Sequence, residues 1–346
     1  MIRTVNVRFK VLRNGADFTE LYPVDTPTLR MDATSAINSS LTGKFIRNNE
    51  VDWLTDTIKP ELEIDGVTYN CGIYIPATIE TARSDGYSTV EIEAYDRCWL
   101  VKSTTAPNIK HFPQGANYVS TVEGLLTESG IALISSVPLA QTLRCDREDW
   151  DLGTDYLEIV NQLLDEINYK PLYFNSEGVA ILEPELLSTA DNVKRSYSIK
   201  NIEELVWDEA NLEVDLFDAA NVFVVSCKNI DLGNVMIATA TNNNPLSPLS
   251  IDRRGRRIYK FLTVDNIASQ AALNDYAKLV CQDNMFIGET AQIITALLPN
   301  CGVNDIVAVN HTDIDGLFRE TQWEMELIPG GKMTHSLERV VGSLES

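Results

Sequence analysis

Three histidines supply all the imidazoles of the chain, and none stands in a pattern typical of catalysis. His111, His311 and His335 are far apart in sequence, and the HExxH, GxSxG, P-loop and GxGxxG patterns are absent. An imidazole acts in catalysis when a nucleophile, a carboxylate or a metal ligand lies at a fixed distance from it. We therefore predict three ordinary surface or strand histidines and a chain that is not an enzyme.

Acidic residues gather around Trp150, where a hard cation could find oxygen ligands. Four of them flank this tryptophan: Asp146, Glu148, Asp149 and Asp151. Calcium prefers several carboxylate oxygens, but the spacing here does not match an EF-hand loop, and the next glycine is Gly153. We interpret the segment as a solvated acidic loop and predict neither a metal site nor a cofactor.

Two pairs of glutamates alternate along predicted strands: Glu61 with Glu63, and Glu91 with Glu93. Paired carboxyl groups on one face are what glycosidases use as acid and base. Tryptophan faces could also stack on sugars, and the chain has five tryptophans: Trp53, Trp99, Trp150, Trp207 and Trp323. An ordinary polar strand face is the simpler interpretation. A carbohydrate-binding or cell-wall-degrading β protein is the alternative function.

The densest basic segment is an arginine cluster: Arg253, Arg254, Arg256 and Arg257. It stands in a chain with 50 acidic and 28 basic residues and a formal charge of -22. Guanidinium groups pair with carboxylates through two hydrogen bonds and are enriched in protein interfaces. We predict that the cluster contacts the acidic surface of an identical neighbouring subunit. A plain loop and a phosphate site are the alternatives, and no second basic cluster or interleaved aromatic residue supports a nucleic-acid groove.

The overall charge and the apolar pattern exclude several classes of protein. A strongly acidic chain is repelled by nucleic acids and by anionic membranes. The first residues lack the pattern of a signal peptide, and no apolar run reaches the ~20 residues that span a bilayer. The six cysteines form no CxxC pair. We expect a protein that is made and folded in a cytosol, with reduced cysteines.

Residues 1–102 have the pattern of a small β-barrel. Val5, Val7 and Phe9 alternate with polar residues before the turn sequence Asn14-Gly15. A second hairpin is predicted at Asp65-Gly66, where the turn requires positive φ angles. Repeated hairpins without a confident helix favour a barrel or sandwich.

The pattern of residues 103–205 predicts a small α/β domain with two helices and a hairpin. Ser120 and Glu123 have the spacing of a helix-capping box, and Gly130 is expected to end that helix. Residues 154–168 carry apolar side chains at helical spacing and form the clearest amphipathic helix. A hairpin over 172–182 follows.

The pattern of residues 206–346 predicts a second barrel with one helix. Strands are expected near 221–226, 234–239, 291–298 and 305–311, with a final hairpin over 317–340. A helix over 269–282 could plug the barrel opening. The polar segment 241–248 is predicted to be exposed or ordered by a neighbour. Only residues 342–346 follow the last hairpin, so we expect no wall-degrading domain.

Three segments in this order and spacing resemble the baseplate-hub family of phage tails: 94–100 (AYDRCWL), 156–184 and 253–277. The family includes hub subunits of contractile phage tails, defective prophages and tail-like bacteriocins. The resemblance implies a homotrimer in which two tail-tube-like barrels per subunit form a pseudo-sixfold ring between the tail tube and the central spike. Other baseplate proteins are the further implied partners, and the virion or tail-like particle is the implied location.

The expected fold is thus α+β and mainly β, with two β-barrel domains flanking a small α/β domain. The expected function is a structural baseplate hub, with no direct nucleic-acid recognition and no stable membrane insertion. A component of a related secretion or injection machine is a third possibility that keeps the same fold.

Overall fold

A computed structural model describes residues 3–84, 86–148, 150–185, 192–200, 206–207, 210–214, 220–229, 234–245, 247–264, 266–285 and 289–341. Asp149 and residues 342–346, on which two of the sequence expectations depend, lie outside these ranges.

Strands dominate the first and last thirds of the chain, and helices the middle. The first third contains β1 (Val5–Arg13), β2 (Ala16–Leu21), β3 (Thr28–Asp32), β4 (Ser39–Ile46), β5 (Thr57–Ile64), β6 (Val67–Asn70), β7 (Ile75–Ser84) and β8 (Tyr87–Tyr95). The middle contains α1 (Cys98–Ser103), α2 (Tyr118–Glu128), β9 (Ile134–Ser136), α3 (Tyr156–Asp165), β10 (Tyr173–Phe174) and β11 (Ala180–Leu182). The remainder contains β12 (Val193–Ser198), β13 (Ala210–Val214), β14 (Val222–Asn229), β15 (Asn234–Thr241), α4 (Ile251–Arg254), β16 (Tyr259–Val264), α5 (Gln270–Asp283), β17 (Glu289–Ala296), β18 (Ile306–Asn310), β19 (Asp315–Glu326) and β20 (Lys332–Val341).

One sheet of ten strands joins the two ends of the chain. Its main path runs β13-β17-β20-β19-β3-β4-β8-β7, with β18 on β19 and β12 on β18. The junction is the antiparallel pair β3–β19, where Met31 lies opposite Trp323. Among the strands that the structure describes, no sheet closes on itself. The mainly β, α+β fold is therefore confirmed, whereas two separate closed barrels are not.

A four-stranded sheet, β2-β1-β5-β6, packs on the N-terminal part of the large sheet. Phe9 on β1 and Phe45 on β4 meet edge to face at 5.0 Å between ring centroids, inside a shared apolar core. The hairpin turns are as predicted, because Asn14 and Gly15, like Asp65 and Gly66, have the positive φ angles of such turns.

The middle region forms its own apolar cluster around α3, against which α1 and α2 pack. The predicted capping box at Ser120 is wrong, since α2 begins earlier, with Asn117 as its N-cap. The Asn117 side chain accepts the Ser120 N–H (3.0 Å), and Glu123 instead accepts the Ser136 hydroxyl (2.6 Å). Gly130 follows the C-cap with φ +83°, as expected of a helix end.

A third unit consists of the three-stranded sheet β15-β14-β16 and the helix α5. The helix packs on one face of this sheet through residues that include Val225, Ala238 and Leu273. It does not plug a barrel opening, because its apolar side is used against β14 and β15. No helix in the described ranges is long and apolar enough to cross a membrane.

Candidate functional site

The four arginines of the predicted interface lie together on one short segment. Arg253 and Arg254 close the single turn of α4, Gly255 reverses the chain with φ +65°, and Arg256 and Arg257 lead into β16. Arg253, Arg256 and Arg257 are exposed, and Arg254 is half-buried. None of the four side chains forms a salt bridge within the part of the chain that the structure describes. Among the described residues, the positive charge of the arginine cluster is thus not offset by an ion pair.

Buried amides hold the backbone of this segment. The Asn221 side chain donates to the carbonyl oxygens of Leu249 (3.2 Å) and Arg256 (3.0 Å) and accepts the Ile258 N–H (2.8 Å). Asn242 donates to the Ser247 hydroxyl (2.7 Å), and both of these side chains are fully buried. The prediction that segment 241–248 is exposed or ordered by a neighbour is therefore wrong for Asn242 and Ser247. The chain itself holds these two side chains, whereas Asn243 and Pro245 are exposed.

The sheet face next to the arginine cluster is apolar and uncovered. Residues paired across a sheet share a face, and Val224 is paired with Phe261 on one side and Thr239 on the other. Phe261 and its stacked neighbour Tyr259 therefore lie on the face opposite α5. Ile237 and Val235 extend this face along β15, since Ile237 pairs with Ser226.

Exposure of these side chains is high for large apolar groups. Phe261 is 74% exposed, Val235 and Ile237 are each 58% exposed, and Tyr259 is 51% exposed. Apolar surface of this kind, bordered by charge, is typical of protein interaction sites. We call these four residues together with the arginine cluster the basic patch. Its composition suits contact with a partner that presents both apolar and acidic groups.

His335 is not a surface histidine but the centre of a buried polar network that the sequence patterns did not reveal. Its Nδ1 contacts a Glu320 carboxylate oxygen, and its Nε2 lies 2.8 Å from the Thr295 hydroxyl. The Tyr197 hydroxyl donates to Glu320 (3.2 Å), and its ring packs 4.8 Å from the imidazole. Burial raises the pKa of Tyr197 well above its ordinary value.

A carboxylate, an imidazole and a hydroxyl are linked here in the order that nucleophilic catalysis uses. All of them are withdrawn from solvent, since none of Glu320, His335 and Thr295 is more than 1% exposed. The network instead ties β12, β17, β19 and β20 together. One signal was available in the sequence: Met333, His335 and Leu337 alternate on β20, which places the imidazole on the buried face.

The other two histidines have simple surroundings. His111 is exposed, and its Nδ1 lies 2.7 Å from Glu148. His311 is buried, and its Nε2 lies 3.3 Å from the Trp207 carbonyl oxygen. Within the described residues, the hydrogen-bond partner of each is thus a carboxylate or a backbone oxygen and not a nucleophile.

Two of the carboxylates around Trp150 have partners within the chain. Asp146 accepts the Gln114 N–H (2.7 Å), and Glu148 pairs with His111. Trp150 itself is buried and donates to Gln162 (2.6 Å). In the described ranges, which omit Asp149, no three His, Cys, Asp or Glu side chains are grouped as a metal site requires.

The carboxylates and tryptophans of the carbohydrate hypothesis are scattered. Glu61 is buried and pairs with Lys10 (3.2 Å) and Lys59 (2.8 Å). Trp323 and Trp150 are buried. The Trp207 ring is already in contact with a cation, since the Lys332 ammonium lies 4.0 Å from its centre. Trp53 packs partly buried against the main core.

One open groove does combine an aromatic pair with acids. Tyr95 and Trp99 stack at 5.7 Å between ring centroids, and the groove of about 400 Å³ beside them also contains Asp32 and Glu93. The Tyr95 hydroxyl donates to Glu93, which raises the pKa of this tyrosine. This is where a sugar ring would find both a flat apolar face and polar partners.

A small cavity of about 70 Å³ lies where the three regions of the chain meet, lined by residues such as Tyr74, Phe174 and Cys301. Asp96 lines it, and burial raises the pKa of this carboxyl to about 7. One Asp96 oxygen accepts the Cys98 N–H (2.9 Å), whereas the other has no hydrogen-bond partner in the described part of the protein. Burial at this junction therefore favours the neutral form of the carboxyl.

Comparison with known proteins gives a match in structure only. No family model matches the sequence, and no curated protein shows significant similarity to it. A tail protein from Neisseria meningitidis MC58 superposes with a TM-score of 0.65 at 13% identity, over 96% of each chain. The 43 kDa tail protein of prophage MuSo2 from Shewanella oneidensis gives 0.65 at 9% identity, over 96% of this chain and 98% of the other.

A third similar structure comes from a secretion system. A component of the type VI secretion system of E. coli, described as similar to the T4 bacteriophage tail proteins gp27 and gp5, gives a TM-score of 0.57 at 12% identity. The match covers 97% of this chain and 79% of that protein. The resemblance to phage-tail hubs that the sequence indicated is confirmed at the level of structure: this chain has the fold of phage tail proteins.

Proposed function

We propose that the chain is the structural baseplate hub of a phage tail or of a phage-tail-like particle, such as a tail-like bacteriocin. Three copies form a ring that joins the tail tube to the central spike. The partners are two further copies of the chain, the tail tube protein, the spike protein and other baseplate proteins. The particle is assembled in the bacterial cytoplasm and carries the hub at the tail baseplate.

Two β-rich lobes in each copy would give such a ring its pseudo-sixfold symmetry. The first lobe contains β1–β8, and the second contains β12, β13 and β17–β20. We propose these lobes as the tail-tube-like elements of the first and last segments in the division 1–102, 103–205 and 206–346, with β12, at the end of the middle segment, joined to the second lobe through β18. Their joining through β3 and β19 would fix the angle between them, because a continuous sheet does not hinge.

The observation that carries the proposal is the extent of the structural match. It covers 96% of the chain and 96% of the tail protein from Neisseria meningitidis, so the similarity is not confined to one common motif. The buried state of the Glu320–His335 network supports a structural role, since a substrate would not reach it.

Measurement of mass in solution tests the proposal. In sedimentation experiments the purified protein is expected to have three times the mass of one chain, which is 38.6 kDa. It should also co-purify with tube and spike proteins when they are expressed together. A chain that stays monomeric at high concentration and binds neither partner would overturn it. Co-purification with components of a secretion machine would instead indicate a part of that machine with the same fold.

The groove at Tyr95 and Trp99 favours a second candidate, binding or cleavage of cell-wall carbohydrate at the tail tip. Incubation with bacterial cell wall would then retain protein or release sugar. Loss of this effect in Glu93→Gln, with Glu213→Gln on β13 as an exposed strand control, would establish it. No binding and no release would remove it.

A further inference from the structure

A second surface on the same chain has the opposite composition to the basic patch. Strands β4, β8 and β7 present a groove of about 340 Å³ whose acidic side chains are Asp25, Glu80, Glu91 and Glu93. None of these four carboxylates forms a salt bridge within the ranges that the structure describes. Among the described residues of these three strands, only Lys44, opposite Glu91, brings a positive charge to this face.

The acidic groups on this surface repel one another. Glu80 lies directly opposite Glu91 in the β7–β8 pair, and both are exposed. Like charges in that position destabilise a sheet. A partner that supplies guanidinium groups would turn this repulsion into attraction.

Exposed apolar side chains adjoin the acidic groups. Pro23 bridges to Phe45, which sets Tyr22 opposite Ile46 and Val24 opposite Lys44. Tyr22 (62%), Ile46 (48%) and Val24 (42%) are therefore exposed on the same face as Lys44 and Glu91. We call these three residues and the four carboxylates the acidic patch.

We infer that the basic patch of one copy docks on the acidic patch of the next copy around the ring. The inference rests on the proposed ring and names the two surfaces that would close it. The occupant is a second copy because each patch has apolar groups beside unpaired charge of one sign, and the chain contains both signs on different elements. One patch meeting a different patch is the heterologous contact from which closed rings are built.

Charge reversal tests this contact in the full-length chain by sedimentation velocity. Arg256→Glu/Arg257→Glu and, separately, Glu80→Arg/Glu91→Arg are each expected to weaken assembly by about tenfold or more. Thermal unfolding of the arginine reversal should stay unchanged, since both arginines are exposed. Glu80→Arg/Glu91→Arg puts a like charge opposite Lys44 and should lower the unfolding temperature slightly. The matched control is Lys194→Glu/Lys200→Glu, which makes the same change in net charge as the arginine reversal at exposed sites outside both patches.

Combining all four reversals in one chain exchanges the signs at Arg256, Arg257, Glu80 and Glu91 and leaves each patch with two charges of each sign, so it should restore part of the assembly that either reversal alone removes. If either reversal variant forms the same oligomer as the wild type, or if the combined variant stays dissociated, this contact is overturned while the proposed ring remains. A wild-type chain that never assembles would overturn both.

Discussion

Glu80 and Glu91 face each other across the β7–β8 pair at the free edge of the ten-stranded sheet, with no cation from the described chain bound to either. Among the described residues of one copy, the nearby Lys44 is the group that can offset this repulsion. In the proposed ring, the pair would link the stability of one copy to its contact with the next.

Removing one of these charges should stabilise the isolated subunit. In a chain kept monomeric by Arg256→Glu/Arg257→Glu, we expect Glu80→Gln to raise the free energy of unfolding by about 0.2–1 kcal/mol at low salt, because like charges oppose each other there. The gain should shrink in 1 M salt, where the Debye length is about 3 Å. Urea denaturation measures both. Glu324→Gln is the control, because Glu324 has Arg30 opposite it, and a gain of equal size there would contradict the explanation.

The buried pair of Arg147 and Glu166 should be essential to the middle region. Arg147 Nη1 lies 2.7 Å from both Glu166 oxygens, and Tyr118 also donates to this carboxylate (2.6 Å). Because both side chains of the pair are about 5% exposed, Glu166→Ala removes the carboxylate that faces a buried guanidinium and should cost about 3–5 kcal/mol.

The exposed pair of Arg8 and Glu63 provides the comparison, with 3.4 Å between Arg8 Nη2 and the carboxylate. Glu63→Ala should cost at most about 1 kcal/mol. Chemical denaturation measures the free energy of unfolding of both variants. Equal losses would show that burial does not make the Arg147 pair more important for stability than the exposed pair.

Asp96 should make stability depend on pH. Its folded-state pKa of about 7 lies above the ordinary 3.8, so the folded protein binds the proton more tightly than the unfolded chain. The stabilising contribution is complete below pH 4 and is lost as pH rises to about 7. Relative to Asp96→Asn, the wild type should lose up to about 1.4 kcal/mol per pH unit over this range. A difference between the two proteins that is constant from pH 4 to 7 would contradict this assignment.

Phe261 and Phe223 lie on opposite faces of the same three-stranded sheet and should respond differently to truncation. Phe223 is fully buried, so Phe223→Ala should cost about 3–5 kcal/mol in stability. Phe261 is 74% exposed, so Phe261→Ala should leave thermal unfolding unchanged and weaken self-association. Calorimetry and sedimentation separate the two effects. A strong loss of stability in Phe261→Ala would show that this side chain serves the subunit and not the contact.

Local signals in the sequence predict the elements well. The Asn14-Gly15 and Asp65-Gly66 turns, the amphipathic helix α3 and the helix α5 are where their patterns indicate. The start of α2 differs from the prediction at Ser120 because serine and asparagine are equally good N-caps, and only the structure shows that Asn117 takes this position.

Long-range pairing lies beyond the sequence patterns. A strand pattern does not state its partner, so the junction of β3 with β19, almost 300 residues apart, is not foreseen and the sequence suggests two separate barrels. The Tyr197–Glu320–His335 network escapes prediction for the same reason, since its members come from different strands. The arginine cluster is visible as residues, whereas the apolar face beside it depends on how β14, β15 and β16 are aligned.

An end-on electron-microscopy image of the purified oligomer tests the central claim most directly. A hub of three copies, each with two β-rich lobes, should appear as a threefold ring with six lobes around a central opening. Single compact particles, or rings whose symmetry is not threefold, would contradict it.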